Sequence, residues 1–376
     1  MFESVPFIAG SPVGDDGSAD VEPGPGWVIR VWLVVAAFAV VTGWRSVTVG
    51  IPVRDPGGEV LRSRVAITVG IFVVLALLDA VRRTPRGRRR SHDVLTTLRR
   101  RWPGRRLALA AGGLLAYHLV YFSYHNLKSW DVLNAPRDDL LTRVDRALFL
   151  GHSPAVLLHS LLGEHVSAYV LMLVYESFPT LVSVSFVAAV VLGDRLRDGY
   201  VFLASMIWVW ILGVGSYYLV PSLGPFDDVP QDFAGLPRTI VTDTQATYLA
   251  QRAHLLADPA AHDAFAQVSA FASLHVGVTT VIVLMLAYYR RRTAAAVLAA
   301  YLALTVVATV YLGWHFVVDD IAGLAIGLVA VLLGLLTIYP GSTVRLMAGR
   351  TREHDAGRAG TSPGPARSSE PAEEGP

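Results

Sequence analysis

Residues 316–339 read FVVDDIAGLAIGLVAVLLGLLTIY, and no charge interrupts the run after Asp320. A helix needs about 20 mostly apolar residues to cross the hydrocarbon core of a bilayer. This stretch therefore predicts a membrane-spanning helix with two carboxylates at its entrance. Seven further segments meet or approach that length: 28–49, 65–81, 107–126, 167–192, 199–221, 270–289 and 294–312. The first is bracketed by Arg30 and Arg45, and the second is short and carries Asp79 near its end. The fold class expected is all-α, a polytopic membrane helical bundle of about eight transmembrane helices.

Composition agrees. The 376 residues are 53% hydrophobic and 16% charged, against roughly a quarter charged in ordinary globular chains. Mean hydropathy is +0.47. With no cysteine in the chain, disulfides, thiolate catalysis and cysteine-bound metals are excluded. Residues 1–26 are acidic and rich in Gly and Pro, with no basic region of the secretory type; they and residues 341–376 read as disordered tails.

The placement of arginine orients the bundle. Residues 82–106 hold eleven arginines between the second and third spans, which makes that loop cytoplasmic. Alternation then puts Arg195 and Arg197, Arg290 to Arg292, and the tail with Arg345 and Arg350 on the same side, and both termini are expected in the cytoplasm of a cell-membrane protein. The arginine run carries a single aromatic residue, Trp102, and no recognisable nucleic-acid-binding module, so it reads as a topology signal that meets anionic lipid heads, not as a nucleic-acid site. The outer connections, 127–166 and 222–268, are long and mixed in charge, and part of the first is amphipathic enough to lie along the interface. No solenoid or inverted repeat is visible.

Three short stretches at outer span ends carry the chemistry: YYLVPSLGPF (217–226), AFASLHVG (270–277) and YLGWHFVVDD (311–320). His315 and Asp319 are four apart and share a helix face. A carboxylate so placed can accept a hydrogen bond from one imidazole nitrogen and leave the other free as nucleophile or base. Ser273 and His275 open the sixth span, where unpaired N–H groups and the helix dipole suit a phosphate. Two histidines on neighbouring helix ends can supply a nucleophile and a general acid, and a lipid phosphate is the natural substrate. Asp320 reads as a charge favoured by the helix dipole. His118 and His125 read as satisfied structural groups. Glu176 reads equally as polar glue or as a substrate contact. The turn at 220–225 reads as a rigid end to the fifth span.

The order and spacing of these stretches resemble the phosphatidic-acid-phosphatase type 2 superfamily of membrane phosphoesterases. Its second motif, P-S-G-H, is matched by Ala272-Ser273-Leu274-His275. Its third, S-R-x5-H-x3-D, is matched by Ala308-Thr309 followed by His315 and Asp319. The resemblance implies a six-helix phosphatase-like core over residues 105–340, with two extra helices and the arginine-rich loop at 27–104. Leu274 replaces the glycine, the S-R pair is absent, and the first motif, K-x6-R-P, has no match before Pro221 or Pro225. The forms S-L-H and Y-L-x-x-H-x-x-x-D, after V-P-x-x-G-P, look closer to the inositol phosphorylceramide synthase-like branch, which holds phosphotransferases and phosphatases.

By this resemblance His315 attacks phosphorus, Asp319 orients it and His275 protonates the leaving alcohol, with no metal or other cofactor. Ser273 and Tyr311 join the candidate substrate contacts. With the motif arginines absent, Arg238 or Arg252 is expected to neutralise the phosphate, with Lys128, Arg137 and Arg143 next. The expected partners are a lipid phosphate or phospholipid and the surrounding membrane lipids, met at the outer leaflet. Polyprenyl phosphates, phosphatidic acid, phosphatidylglycerol phosphate and inositol lipids all fit, with water or an alcohol as acceptor. A transporter or lipid-binding protein using the same polar ends without chemistry is the rival class, and a family member that has lost catalysis is a third reading.

Overall fold

The computed structural model describes residues 26–85, 87 and 90–341; the two expected tails and Arg345 and Arg350 lie outside the described residues, apart from Gly26 and Gly341. All regular structure among the described residues is helical. Seven helical segments are long and apolar enough to cross a membrane. They are α1 (Gly26–Val49), α2 (Arg62–Arg83), α4 (Gly104–Asp131), the broken pair α7 (Val166–Glu176) and α8 (Phe178–Leu192), α9 (Leu196–Leu219), α13 (Arg292–Tyr311) and α14 (Val317–Ile338). Shorter helices α3 (Ser91–Arg101), α5 (Asp138–Leu148), α6 (Pro154–Leu162), α10 (Pro225–Asp228) and α11 (Ile240–Ala257) fill the connections.

The sixth expected span, 270–289, is realised differently. Its helix, α12 (Leu274–Tyr288), has only 15 residues, roughly 22 Å at about 1.5 Å per residue. The chain before it, residues 264–273, runs into the bundle without helical structure. Non-helical backbone is tolerated at depth only where protein satisfies its polar groups, and here it does. The Ala266 N–H donates to Ser129 Oγ (3.0 Å) and that of Ala270 to the Ser222 carbonyl (2.8 Å). The N–H of Ala272 donates to Ser216 Oγ (2.9 Å) and that of Ser273 to the Asp319 carbonyl (3.0 Å). A sequence window sees the apolar residues of 264–273 and extends the span through them; the helix starts only at Leu274.

α9 is the central column, packed on one side by α4 and on the other by α14 and α12. α1 lies against α4 and α14, and α2 against α8. The first turn of α1 meets the last turn of α14, where Arg30 Nε donates to the Thr337 carbonyl (2.6 Å) and Arg197 Nη2 to that of Ile338 (2.9 Å). These guanidiniums satisfy carbonyls that a helix C-terminus leaves unpaired. They also put both ends of the described chain at one end of the bundle, together with the ion pairs of Arg82, Arg83 and Arg101 around Asp79.

Small residues set the closest approach, as they do between membrane helices. A Cβ added at Gly327 of α14 would lie 2.6 Å from the Gly277 carbonyl oxygen of α12. Gly327→Val must push the two helices apart and is expected to cost about 1–3 kcal/mol, read as a lowered unfolding midpoint of the purified protein. An unchanged midpoint would remove this contact as the determinant of the α12–α14 distance.

Candidate active site

The α12–α14 contact brings the second and third sequence stretches together. His275, in the first turn of α12, and His315, just before α14, face each other with ring centroids 6.0 Å apart. His315 Nδ1 lies 3.4 Å from Asp319 Oδ2, slightly beyond an ordinary hydrogen bond, as catalytic pairs often are without substrate. The same carboxylate oxygen accepts the Phe316 N–H at 3.0 Å, so Asp319 is fixed by the helix start it caps. His315 is 6% exposed and Asp319 fully buried. Burial pushes the His315 imidazole down to about 4, with Asp320 opposing the shift and Lys128 adding to it. The ring is therefore neutral at physiological pH, with a lone pair available for bonding.

Aromatic rings fix His275. Its imidazole stacks on Tyr175 (4.3 Å between centroids) and lies 4.2 Å from Phe178. Trp314 stacks in turn on Tyr175 at 5.5 Å. Tyr175 and Phe178 flank the break between α7 and α8, with Pro179 in the first turn of α8. That break turns both rings toward the histidine. Glu176 sits at the same break with an exposed side chain.

The other expected site residues divide. Ser273, immediately before α12, is fully buried; its hydroxyl makes no hydrogen bond of ordinary geometry, and the Asp320 carboxylate lies near enough to interact with it. Tyr311 is also fully buried, but its hydroxyl donates to the Gly163 carbonyl (2.6 Å) and its own carbonyl takes His159 Nε2 (2.9 Å). It packs α13 against α6, with its hydroxyl engaged by that contact. The Arg238 side chain is 85% exposed and paired with Asp243 at 2.7 Å. Arg252 on α11 is half-buried with an unpartnered Nε, and no contact among the described residues joins it to the histidines.

Lys128 comes closest to filling the gap. The sequence placed it in an outer loop, whereas α4 runs on to Asp131 and carries it into the bundle. Its ammonium sits 5.8 Å from the Tyr217 ring centroid and pairs with no carboxylate among the described residues, and its charge disfavours protonation of His315. Being the sole lysine was its only mark in sequence. Among the described residues no group of three or more His, Cys, Asp or Glu side chains is arranged to hold a metal ion.

Sequence reading missed the clamp made by α5. Its amphipathic face carries Asp138 and Asp145, two helical turns apart. Asp138 Oδ1 accepts the Ser222 hydroxyl (2.6 Å) and the Gly224 N–H (2.9 Å). Ser222 and Gly224 are thus committed to holding the turn after α9, where Gly224 adopts φ +109°. Asp145 accepts the Val317 N–H (2.7 Å) and the Val318 N–H (3.1 Å), capping α14 next to His315. Burial raises both carboxyls and these donors hold them down. Asp320, read as a dipole charge, is 2% exposed and accepts the Thr309 hydroxyl at 2.9 Å. Asp145→Ala strands two N–H groups and is expected to cost about 1–3 kcal/mol of stability and to lower turnover by freeing the His315 loop. A variant with wild-type unfolding and rate would show that the clamp is dispensable.

The described helices thus form a membrane bundle in which His275 and His315 face each other and His315 is backed by Asp319. The family model described as the PAP2 superfamily matches residues 139–333, and the chain belongs to that superfamily. The match runs from α5 to within α14 and takes in all three sequence stretches. No curated protein and no solved structure matches the chain.

Proposed function

We propose that this protein is a phosphoesterase or phosphotransferase that acts on a lipid phosphate, or a phosphate-linked head group, at the outer leaflet through a phosphohistidine at His315. The observation that carries the reading is the pair of facing imidazole rings 6.0 Å apart, the buried one, His315, with Asp319 behind its Nδ1. With Nδ1 turned to the carboxylate, the Nε2 lone pair is the one left to bond phosphorus.

In the first step Nε2 forms the N–P bond as the P–O bond to the lipid alcohol breaks. Protonated His275 gives its proton to the leaving oxygen. In the second step the now neutral His275 takes a proton from water or an acceptor alcohol, whose oxygen bonds phosphorus and releases His315. The substrate's own negative charge favours the protonated form of His275 at the start. Lys128 and the Ser273 hydroxyl are proposed to bind the phosphate oxygens, with Arg252 as the further candidate. A lysine there acts as a point charge, without the bidentate grip of the absent motif arginines. The inositol phosphorylceramide synthase-like form of the motifs favours transfer of a phospho head group. The arginine-rich end is proposed to face the cytoplasm and the histidines the outer face of the cell membrane.

The test is release of phosphate, or transfer of a head group, from a panel of lipid phosphates across pH. Nucleophilic His315 must be neutral, so kcat/KM is expected to persist through mildly acidic pH and to fall as pH drops through about 4, the acid limb reporting the free enzyme. An acid limb near the ordinary histidine value, about 6.5, would contradict a buried neutral nucleophile. A folded protein inert on the whole panel, with water and with alcohol acceptors, would sink the enzymatic reading.

A further inference from the structure

A second site lies at the opposite end of the bundle from the histidines. A cavity of about 1030 Å³ opens there between α8, α9, α12 and α13. Its origin is the break at Ser177. Above the break α7 packs on α13, and the Tyr301 hydroxyl of α13 bonds the Val174 carbonyl (2.9 Å) and Ser177 Oγ (2.9 Å). Below the break α8 departs to pack on α2 and α9. The inner halves of α8 and α13 therefore diverge, and the gap between them is the cavity.

The walls and the rim differ in chemistry. Leu181, Ala188 and Leu192 of α8 face Ile282 and Met285 of α12 and Leu298 of α13. From Leu181 to Leu192 is roughly 16 Å along the helix, about half of a ~30 Å hydrocarbon core, so the trough is one leaflet deep. At its mouth stand Arg195, Arg290 and Arg291. None of these guanidiniums has an ion pair or a side-chain hydrogen bond among the described residues. The acids beside them are already engaged: Asp194 pairs with Arg83 at 2.7 Å, and Asp198 Oδ1 accepts the Tyr339 hydroxyl at 3.0 Å. The mouth thus carries uncompensated positive charge over an apolar trough.

We infer that this cavity binds an anionic glycerophospholipid of the leaflet on the arginine-rich side, with acyl chains in the trough and the phosphate among Arg195, Arg290 and Arg291. A free anion has no use for the trough, and a neutral lipid has none for three unpaired guanidiniums, whose forked donors match phosphate oxygens. The site is separate from the histidines, and the inference stands whether or not the proposed reaction is correct.

The test is lipid retention by the intact protein, purified from nanodiscs of phosphatidylcholine containing phosphatidylglycerol and read by native mass spectrometry. Wild type is expected to retain phosphatidylglycerol over phosphatidylcholine by about tenfold. The combined variant Arg195→Gln, Arg290→Gln, Arg291→Gln is expected to lose that preference, while the untouched arginine run at 82–106 keeps the orientation. Ala188→Trp, which fills the trough and keeps the rim, is expected to lose retention; Leu298→Trp gives the same reading from the opposite wall should Ala188→Trp fail to fold. Equal retention of both lipids by wild type overturns the inference. So does preference surviving in the arginine variant, or wild-type retention in a folded trough-filled variant, which would mean surface charge without a site.

Discussion

His315→Ala is expected to abolish turnover, a loss of at least about 10³-fold of the kind seen when a nucleophile is removed, while the protein inserts and unfolds as wild type. The structural reason the fold should survive is that the helix start beside His315 is held by other groups. Asp145 caps Val317 and Val318, Asp319 caps Phe316, and the Gly313 carbonyl takes the Phe226 N–H at 3.0 Å. Loss of the ring leaves these intact. Full activity in the purified variant would remove His315 from the chemistry, and unfolding of the variant would show the ring to be a structural pillar.

His275→Ala carries the second largest effect, with a different signature. General acid catalysis contributes about 10²–10⁴-fold, and the leaving alcohol of a lipid phosphate needs that proton. Turnover of the lipid substrate is expected to fall within that range. An aryl phosphate, whose leaving group departs without a proton, should still phosphorylate His315 in the variant. Dephosphorylation should remain slow, because the same residue deprotonates the acceptor, so the phosphoenzyme accumulates. Equal losses on lipid and aryl substrates, without accumulation, would show that His275 binds or positions rather than transfers a proton.

The fold class was legible from residues 316–339 and the segments like them, because a bilayer imposes one length and one composition on every crossing helix. The start of α12 was not legible. Whether residues 264–273 are helical depends on Ser129, Ser216, Ser222 and Asp319 supplying partners from elsewhere in the chain, and a sequence window contains none of them. The meeting of His275 with His315 is foreshadowed by their spacing and by the shared side of the membrane that alternation of the spans leads one to expect. Its cause, the glycine contact between α12 and α14, is a property of two helices together. Lys128 was misplaced for a simpler reason: α4 continues past the apolar window into NLKSWD, because Asn126, Ser129, Trp130 and Asp131 are buried against the rest of the protein. Tyr311 and Arg238 were named for motif adjacency and for charge, and in the structure a neighbour engages each. Asp138 and Asp145 sit on an amphipathic helix, and only their distant N–H partners reveal the clamp.

The most direct test of the central claim is to trap the covalent intermediate. The protein is mixed with a phosphoryl-labelled lipid phosphate or aryl phosphate, quenched within a turnover, and the label mapped by peptide. The account predicts an acid-labile, alkali-stable phosphoramidate on His315 that is present in wild type, enriched in His275→Ala with the aryl ester, and absent from His315→Ala. Label on any other residue, or turnover of substrate with no labelled protein at any quench time, would contradict it.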